Sequence, residues 1–306
     1  MNWIAKALIQ HIFSYIPFGE KLNYVGQRYF IRNLPHSEKQ FSSRVGQALK
    51  HFKNFQEYGL STESPTFYEF GSGWDFIIPL TYWLMGIDCQ ILTDIRPLIR
   101  VELINHTLNS LFVHQHEMPF LSRKMSTQFR LKSGSTDELR GLFGIIYMAP
   151  CDAKHVSTIK TNSVDFISST GVLEHVPSQD IVPILQECER ILKPSGIMSH
   201  SIDYQDHYAI TDQTIYVYNF LKYSDVTWRL VNPPLHYQNR LRHKDYIAMI
   251  KDSTSLKIMD EIIERPTPER VNSLQQLTLA PKFRDGYSYD ELSITSATLV
   301  LKKELI

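Results

Sequence analysis

From Thr66 onward, short apolar runs of strand length alternate with stretches of helical period, and no other feature constrains the fold as strongly. The runs "TFYEF", "CQILTDI", "GIIYMAP", "VDFISST" and "IMSHSID" read as five strands. Between them lie helical patterns: "DFIIPLTYWLMG", closed by Gly86, then "RPLIRVELINHTLNSLF", then a helix from about Asp180 to Leu192. Strands joined through helices pair in parallel, because only a long crossover returns the chain in the same direction. In the last of these helices Asp180 is expected as the cap and Pro183 in the first turn, where a missing N–H does little harm. Lys193, Pro194 and Gly196 are expected to end it. Near the end, "LKIMDEII" and "SATLVLKK" supply two more strands, seven in all.

Residues 1 to about 60 are mainly helical and precede the sheet, so they are expected to form a cap or lid. Residues 61–306 form the main domain, with 204–255 as a long substrate-side insert between strands five and six. With 306 residues, 43% of them hydrophobic, the chain can bury the core of one large domain with appendages. Lys+Arg and Asp+Glu balance at 32 each, without a basic tail, which disfavours a dedicated nucleic-acid binder. Cys89, Cys151 and Cys188 are far apart and odd in number, so neither a disulfide framework nor a metal site is expected; they suit a reducing, cytoplasmic setting.

At the N-terminus, Ile4, Leu8, Ile12 and Ile16, with Phe13 beside them, mark one apolar helix face. Lys6, Gln10 and His11 interrupt it, so it is too short and too polar to span a bilayer, and no small-residue cleavage site follows. The expectation is a helix packed on the body through that face, with a weak membrane-surface contact as the alternative.

The turn after the first strand, "FYEFGSGWDF", carries Gly71 and Gly73 with Glu69 before them. In an open parallel sheet a ligand binds beyond the carboxyl ends of the strands, where the strand order reverses. The glycines permit a tight bend and a close approach. A dinucleotide fingerprint needs a third glycine where this chain has Phe76, and Trp74 and Phe76 are expected to shield the helix start. A carboxylate at Glu69 repels phosphates and suits an amino group, while Asp94, after the second strand, is placed to accept the hydroxyls of a ribose. A tight turn with solvated acids would give the same letters.

The downstream run "NSVDFISSTGVLEHVPSQDIVPILQECERILKPSGIMSHSID" narrows this choice. Together with "YEFGSGWD" and "LTDIRP" it resembles the class I S-adenosylmethionine-dependent methyltransferases over roughly residues 65–205. The resemblance implies a Rossmann-like α/β fold, a seven-stranded, mostly parallel sheet flanked by helices, with S-adenosyl-L-methionine as cofactor. It implies cofactor contacts at Glu69, Gly71, Gly73 and Asp94 with its neighbour Ile95. It extends them to Asp152 and Ala153 in "MAPCDA", where the family places a side chain near the adenine amino group, and to Thr170. The third glycine, which the family often drops, is absent. "EFGSGWDFIIPLTYWLMG", "SIDYQDHY", "YNFLKYSD" and "NRLRHKDY" resemble a bacterial subgroup that acts on small molecules or glycans.

Methyl transfer from a sulfonium is an in-line displacement, so the acceptor must be held and must lose a proton if it is a hydroxyl or amine. His175 in "LEHV" either orders the loop over the cofactor or acts as a base. "DYQDHY" offers Asp203, Asp206 and His207, in which a carboxylate can orient the histidine. Tyr204 and the aromatics after it form either a stacking wall for a sugar or aromatic acceptor, or a small core of the insert. Arg240 and Arg242 either grip an acceptor's carboxylate or phosphate or pair on the surface. "NPPL" at 232–235 resembles an amino-methylating motif, but it stands far from the fourth strand and lacks the aromatic, so it reads as a turn.

Overall fold

A computed structural model of the protein describes residues 2–31, 33–118 and 121–304. The seven expected strands are present: β1 (Thr66–Phe70), β2 (Cys89–Thr93), β3 (Ile145–Met148), β4 (Val164–Thr170), β5 (Leu192–Asp203), β6 (Leu256–Ile263) and β7 (Ser296–Lys303). They form one sheet in the order β3-β2-β1-β4-β5-β7-β6. The strands from β3 across to β5 pair in parallel, and β7 runs antiparallel to both β5 and β6.

The helices before and within the parallel half are α1 (Trp3–Tyr15), α2 (Gly19–Val25), α3 (Glu38–Tyr58), α4 (Ile77–Leu84), α5 (Val101–His114), α6 (Thr136–Phe143) and α7 (Ser178–Ile191). After β5 come α8 (Asp225–Leu230) and α9 (His243–Ser253) in the insert, and α10 (Pro268–Gln275), α11 (Pro281–Gly286) and α12 (Tyr289–Ser293) before β7. Successive strand residues point to opposite faces, and both faces are covered. Tyr68 and Ile167 pack with Ile181, Leu185 and Cys188 of α7 and with Tyr246 and Ile250 of α9. On the other face, Phe67 and Phe166 pack against Ala48 of α3 and against Ile78 and Tyr82 of α4. Polar bonds also tie α3 to the sheet: His51 reaches Ser199 Oγ at 2.7 Å and Thr170 Oγ1 at 3.0 Å, and Asn54 donates to Ser199 Oγ.

Three local expectations need correction. Helix α7 starts at Ser178 after Pro177, so Asp180 lies in its first turn without capping it, and Pro183 sits further along. Lys193, Pro194 and Gly196 lie within β5, whose register against β4 shifts between Val164 and Phe166, so the turn letters mark an irregular strand start. The third correction concerns α1. It packs through Trp3, Lys6, Ala7 and Gln10, leaving Ile4, Leu8 and Ile12 exposed. Trp3 decides the orientation: its ring lies 5.5 Å from Tyr208 and 5.6 Å from Tyr223. The Lys6 ammonium donates to Thr211 Oγ1 and lies over the Tyr208 ring, 5.6 Å from its centroid.

That contact belongs to a further core. Trp3 and Ala7 pack with Tyr208, Tyr218, Phe220 and Trp228 of the insert and with Leu274, Phe283 and Leu292 near the end. The first helix, the insert and the helices between β6 and β7 therefore consolidate one another beside the sheet. No described helix is long and apolar enough to cross a membrane.

Candidate active site

The strand order reverses at β1: the chain runs outward through β2 to β3 on one side of it and then returns to lay down β4 and β5 on the other. Beyond the carboxyl ends of β1, β2 and β4 opens a cleft of about 490 Å³. Glu69, Gly71, Gly73, Asp94, Ile95, Asp152, Ala153, Thr170, His175 and His207 all line it. Sequence spacing alone had separated these residues by up to 138 positions, and the parallel register brings them together.

The glycine turn is strained in the way that glycine permits. Gly71 and Gly73 have φ of +71° and +74°. A Cβ on Gly71 would lie 2.5 Å from Val172, whereas one on Gly73 would meet no atom within 4 Å, so Gly73 faces open space. Asp94 is held by its own backbone surroundings. Its Oδ2 accepts from Gly73 N at 3.3 Å and its Oδ1 from Arg96 N at 3.2 Å, and burial pushes its carboxyl upward. Asp152 is more open, with Lys154 3.4 Å away.

Glu69 is held in the cleft against the cost of burying a carboxylate. It is 4% exposed, its Oε2 lies 3.5 Å from Ser168 Oγ, and burial pushes it up to about 8, with Arg44 the opposing charge. A buried carboxyl without a bonded cation, beside an open glycine and a second acid, is a donor set suited to a ligand with an ammonium and a diol. It does not suit a pyrophosphate. The start of α4 is also taken, since Asp75 Oδ1 accepts from Ile77 N and its Oδ2 pairs with His36. Trp74 shields this end as expected, stacked on Tyr24 at 4.9 Å. Phe76 instead turns into the core and packs edge-on to Tyr147.

At the far end of the cleft, His175, His207 and His236 converge. His175 donates from Nδ1 to the carbonyl of Tyr237 at 2.7 Å, since a carbonyl can only accept, and its ring meets His207 edge-on at 4.9 Å. His207 Nε2 lies 3.3 Å from Asp203 Oδ2 without the alignment of a hydrogen bond. Burial opposes the charged ring, but Asp203, Glu174 and Asp206 outweigh it and hold His207 above the ordinary imidazole value. Asn239 locks the loop beneath by donating to the carbonyls of Leu173 and Val176.

Four expected site residues lie elsewhere. Asp206 is fully buried and accepts from Tyr208 N and Asn219 Nδ2, so the carboxylate beside His207 is Asp203. Tyr204 is buried, with its hydroxyl 3.2 Å from His243 Nδ1. Arg240 spends its guanidinium on the carbonyls of Phe220 and Tyr223 and on Asp225. Arg242 is fully buried and donates to the carbonyls of Tyr204, Leu292 and Ile294. None of the four lines the cleft. Both arginines answer the hydrogen-bond demand of buried backbone.

Lining residues that sequence reasoning missed are Arg44 and His36 from the N-terminal segment and Leu235 and His236 from the insert. The "NPPL" stretch is a turn at its start, where Asn232 bonds the backbone of Gln238, but its end delivers Pro234 and Leu235 to the cleft.

A family model described as "Methyltransferase domain" matches residues 121–199. No curated protein matches the chain in sequence. Solved structures similar to it include the YcgJ protein of Bacillus subtilis, at 12% identity, covering 87% of this chain and 100% of that one, with a TM-score of 0.45. A SAM-dependent methyltransferase of Methanosarcina mazei shares 14% identity over 82% of this chain and 97% of its own, at 0.45. Geranyl diphosphate C-methyltransferase of Streptomyces coelicolor A3(2) shares 10% over 89% and 86%, at 0.47. The match to a methyltransferase domain over residues 121–199, the sheet order and the chemistry of the cleft support an enzyme that transfers a methyl group from S-adenosylmethionine.

Glu69 gives this site a stability signature. Its carboxyl, near 4.5 when unfolded and about 8 when folded, contributes stability that is fully present below 4.5 and lost as the pH rises to about 8. Glu69→Gln is therefore expected to stabilise the ligand-free protein at pH 7.5 by roughly 1–3 kcal/mol, and the gain should shrink toward pH 4.5. Denaturant melts of both proteins across that range check this, and a pH-independent difference would contradict it.

Proposed function

We propose that this enzyme methylates an oxygen of a small-molecule or glycan-type acceptor, with His207 taking up the acceptor's proton. The observation that carries the reading is the placement of His207 against Asp203 at the end of the cleft away from the glycine turn. With Nε2 turned toward Asp203, Nδ1 is the nitrogen left for the acceptor hydroxyl. A base in such a position contributes about 100- to 10,000-fold.

S-adenosylmethionine, when bound, supplies an electrophilic methyl group on a sulfonium. Glu69 would take its ammonium, with Thr170 nearby; Gly71 and Gly73 would let it lie against the backbone. Asp94 would accept the ribose hydroxyls beside Ile95, and Asp152 with Ala153 would meet the adenine. The buried, destabilising Glu69 fits this role, since a carboxyl that costs stability in the free protein is repaid only by a cationic ligand. His175, fixed by Tyr237, would order the loop over the cofactor.

The acceptor corner draws its walls from Leu235, His236 and Tyr237. With Arg240 and Arg242 committed to backbone carbonyls, the insert itself supplies no guanidinium to grip an anionic acceptor, and the reading is a hydroxylated acceptor such as those made in surface-glycan or secondary-metabolite synthesis in the cytoplasm. Residues 2–36 would act as the lid, because α3 belongs to the layer that covers the sheet. Tyr24 stacks on Trp74 at the cleft rim and donates to Glu102. The open apolar face of α1 supports a weak membrane-surface contact, which co-sedimentation with lipid vesicles would read.

His207→Ala is expected to slow single-turnover methyl transfer about 100-fold or more while the affinity for S-adenosylhomocysteine stays within about threefold. An unchanged single-turnover rate would remove His207 from the chemistry. Tyr24→Ala is expected to lower turnover with little change in thermal midpoint, and unaltered kinetics would sink the lid.

A further inference from the structure

The histidine corner holds more unsatisfied polar atoms than a proton relay needs. Glu174 is 2% exposed; its Oε1 accepts from Asp203 N at 3.2 Å, and its Oε2 has no hydrogen-bond partner. His236 Nε2 is likewise buried without a hydrogen-bond partner, and His207 Nε2 makes no hydrogen bond although Asp203 Oδ2 lies 3.3 Å from it. His175 has its Nδ1–H committed to the Tyr237 carbonyl, which leaves a lone pair on Nε2. One carboxylate oxygen of Glu174 and one ring nitrogen each of His175 and His207 lie within 4.8 Å of one another. His236 stands behind them, its ring centroid 6.2 Å from His207 and 6.5 Å from His175.

From this convergence we propose that Glu174, His175 and His207 bind a divalent late transition-metal ion such as Zn²⁺. The physical case is one of mutual satisfaction. Burying a carboxylate oxygen and imidazole nitrogens without partners costs free energy for each of them. A single cation with bonds of about 2.0–2.2 Å satisfies the converging atoms of Glu174, His175 and His207 after a contraction of about 1 Å. Two imidazoles and a carboxylate form a borderline donor set that suits Zn²⁺, Co²⁺ or Ni²⁺ better than Mg²⁺ or Ca²⁺, which prefer all-oxygen shells. The outer contacts have the form that metal sites use. A backbone carbonyl fixes the tautomer of His175, and a backbone N–H fixes the carboxylate of Glu174.

The site bears on the chemistry of the cleft. A metal on one ring nitrogen of His207 confines the proton to the other. The ring therefore cannot ligate the ion and take up an acceptor proton at the same time, and the two forms of the enzyme are alternatives. An ion with an open position at that corner would also hold an acceptor oxygen directly.

The test is metal binding to the chelator-stripped, full-length protein, read without methyl transfer, so its failure leaves the O-methylation reading untouched. Titration with Co²⁺ is expected to give one ion per chain, the visible absorption of a four- or five-coordinate centre, and displacement by one equivalent of Zn²⁺. Glu174→Gln keeps the shape of the side chain and removes its charge. His175→Asn keeps a donor for the Tyr237 carbonyl and removes Nε2. Each is expected to weaken Co²⁺ binding by at least the roughly 10- to 100-fold that loss of an outer-shell partner costs, while circular dichroism and the metal-free melting point report an intact fold. Only the spectrum of the hydrated six-coordinate ion, or an affinity unchanged in both folded variants, would overturn the proposal.

Discussion

Everything in the site depends on the divergence of the chain at β1. Neighbours β2 and β4 carry their connections away on opposite sides, so the carboxyl ends of these strands cannot be closed over by a crossover. The crevice is a consequence of topology, and the residues that line it are those that happen to end strands. Glu69 is the last residue but one of β1, Asp94 follows β2, Asp152 follows β3 and Thr170 ends β4.

The far wall of the cleft depends on a different device. The insert has little regular structure, and it is anchored by side chains that satisfy buried carbonyls. Arg242 bonds three of them, Arg240 two more together with Asp225, and Asn239 holds the loop that carries Glu174 and His175. An unsatisfied buried acceptor costs about 1–3 kcal/mol, so each of these side chains replaces a stretch of sheet or helix as a fastener. Asn239 and Arg242 lie on either side of the turn into α9, which couples the position of His236 and Tyr237 to the packing of α9 on the sheet.

The sheet was legible in the sequence because strand runs and helix periods are local. All seven strands stand where their apolar runs predicted, and the residues at the ends of β1 and β2 were read as ligand-facing from topology, those after β3 and at the end of β4 from the family resemblance. What stayed hidden is what local pattern cannot encode. An arginine that satisfies buried carbonyls has the same letter as one that grips a substrate, so Arg240 and Arg242 gave no sign of their burial. The four-residue repeat in α1 was real, but Trp3 packing on Tyr208 set the opposite face inward. Arg44 and His236 reach the cleft from segments about 190 residues apart, and their placement depends on contacts made only in the folded chain.

The central claim is that the cleft takes a sulfonium nucleoside and not a dinucleotide. Calorimetric titration of the protein with S-adenosylmethionine, S-adenosylhomocysteine and NAD, repeated with Asp94→Ala, tests it most directly. The account predicts micromolar binding of both adenosyl ligands, its loss in the variant, and no binding of NAD. Binding of NAD, or no binding of either adenosyl ligand to the folded wild-type protein, would contradict it.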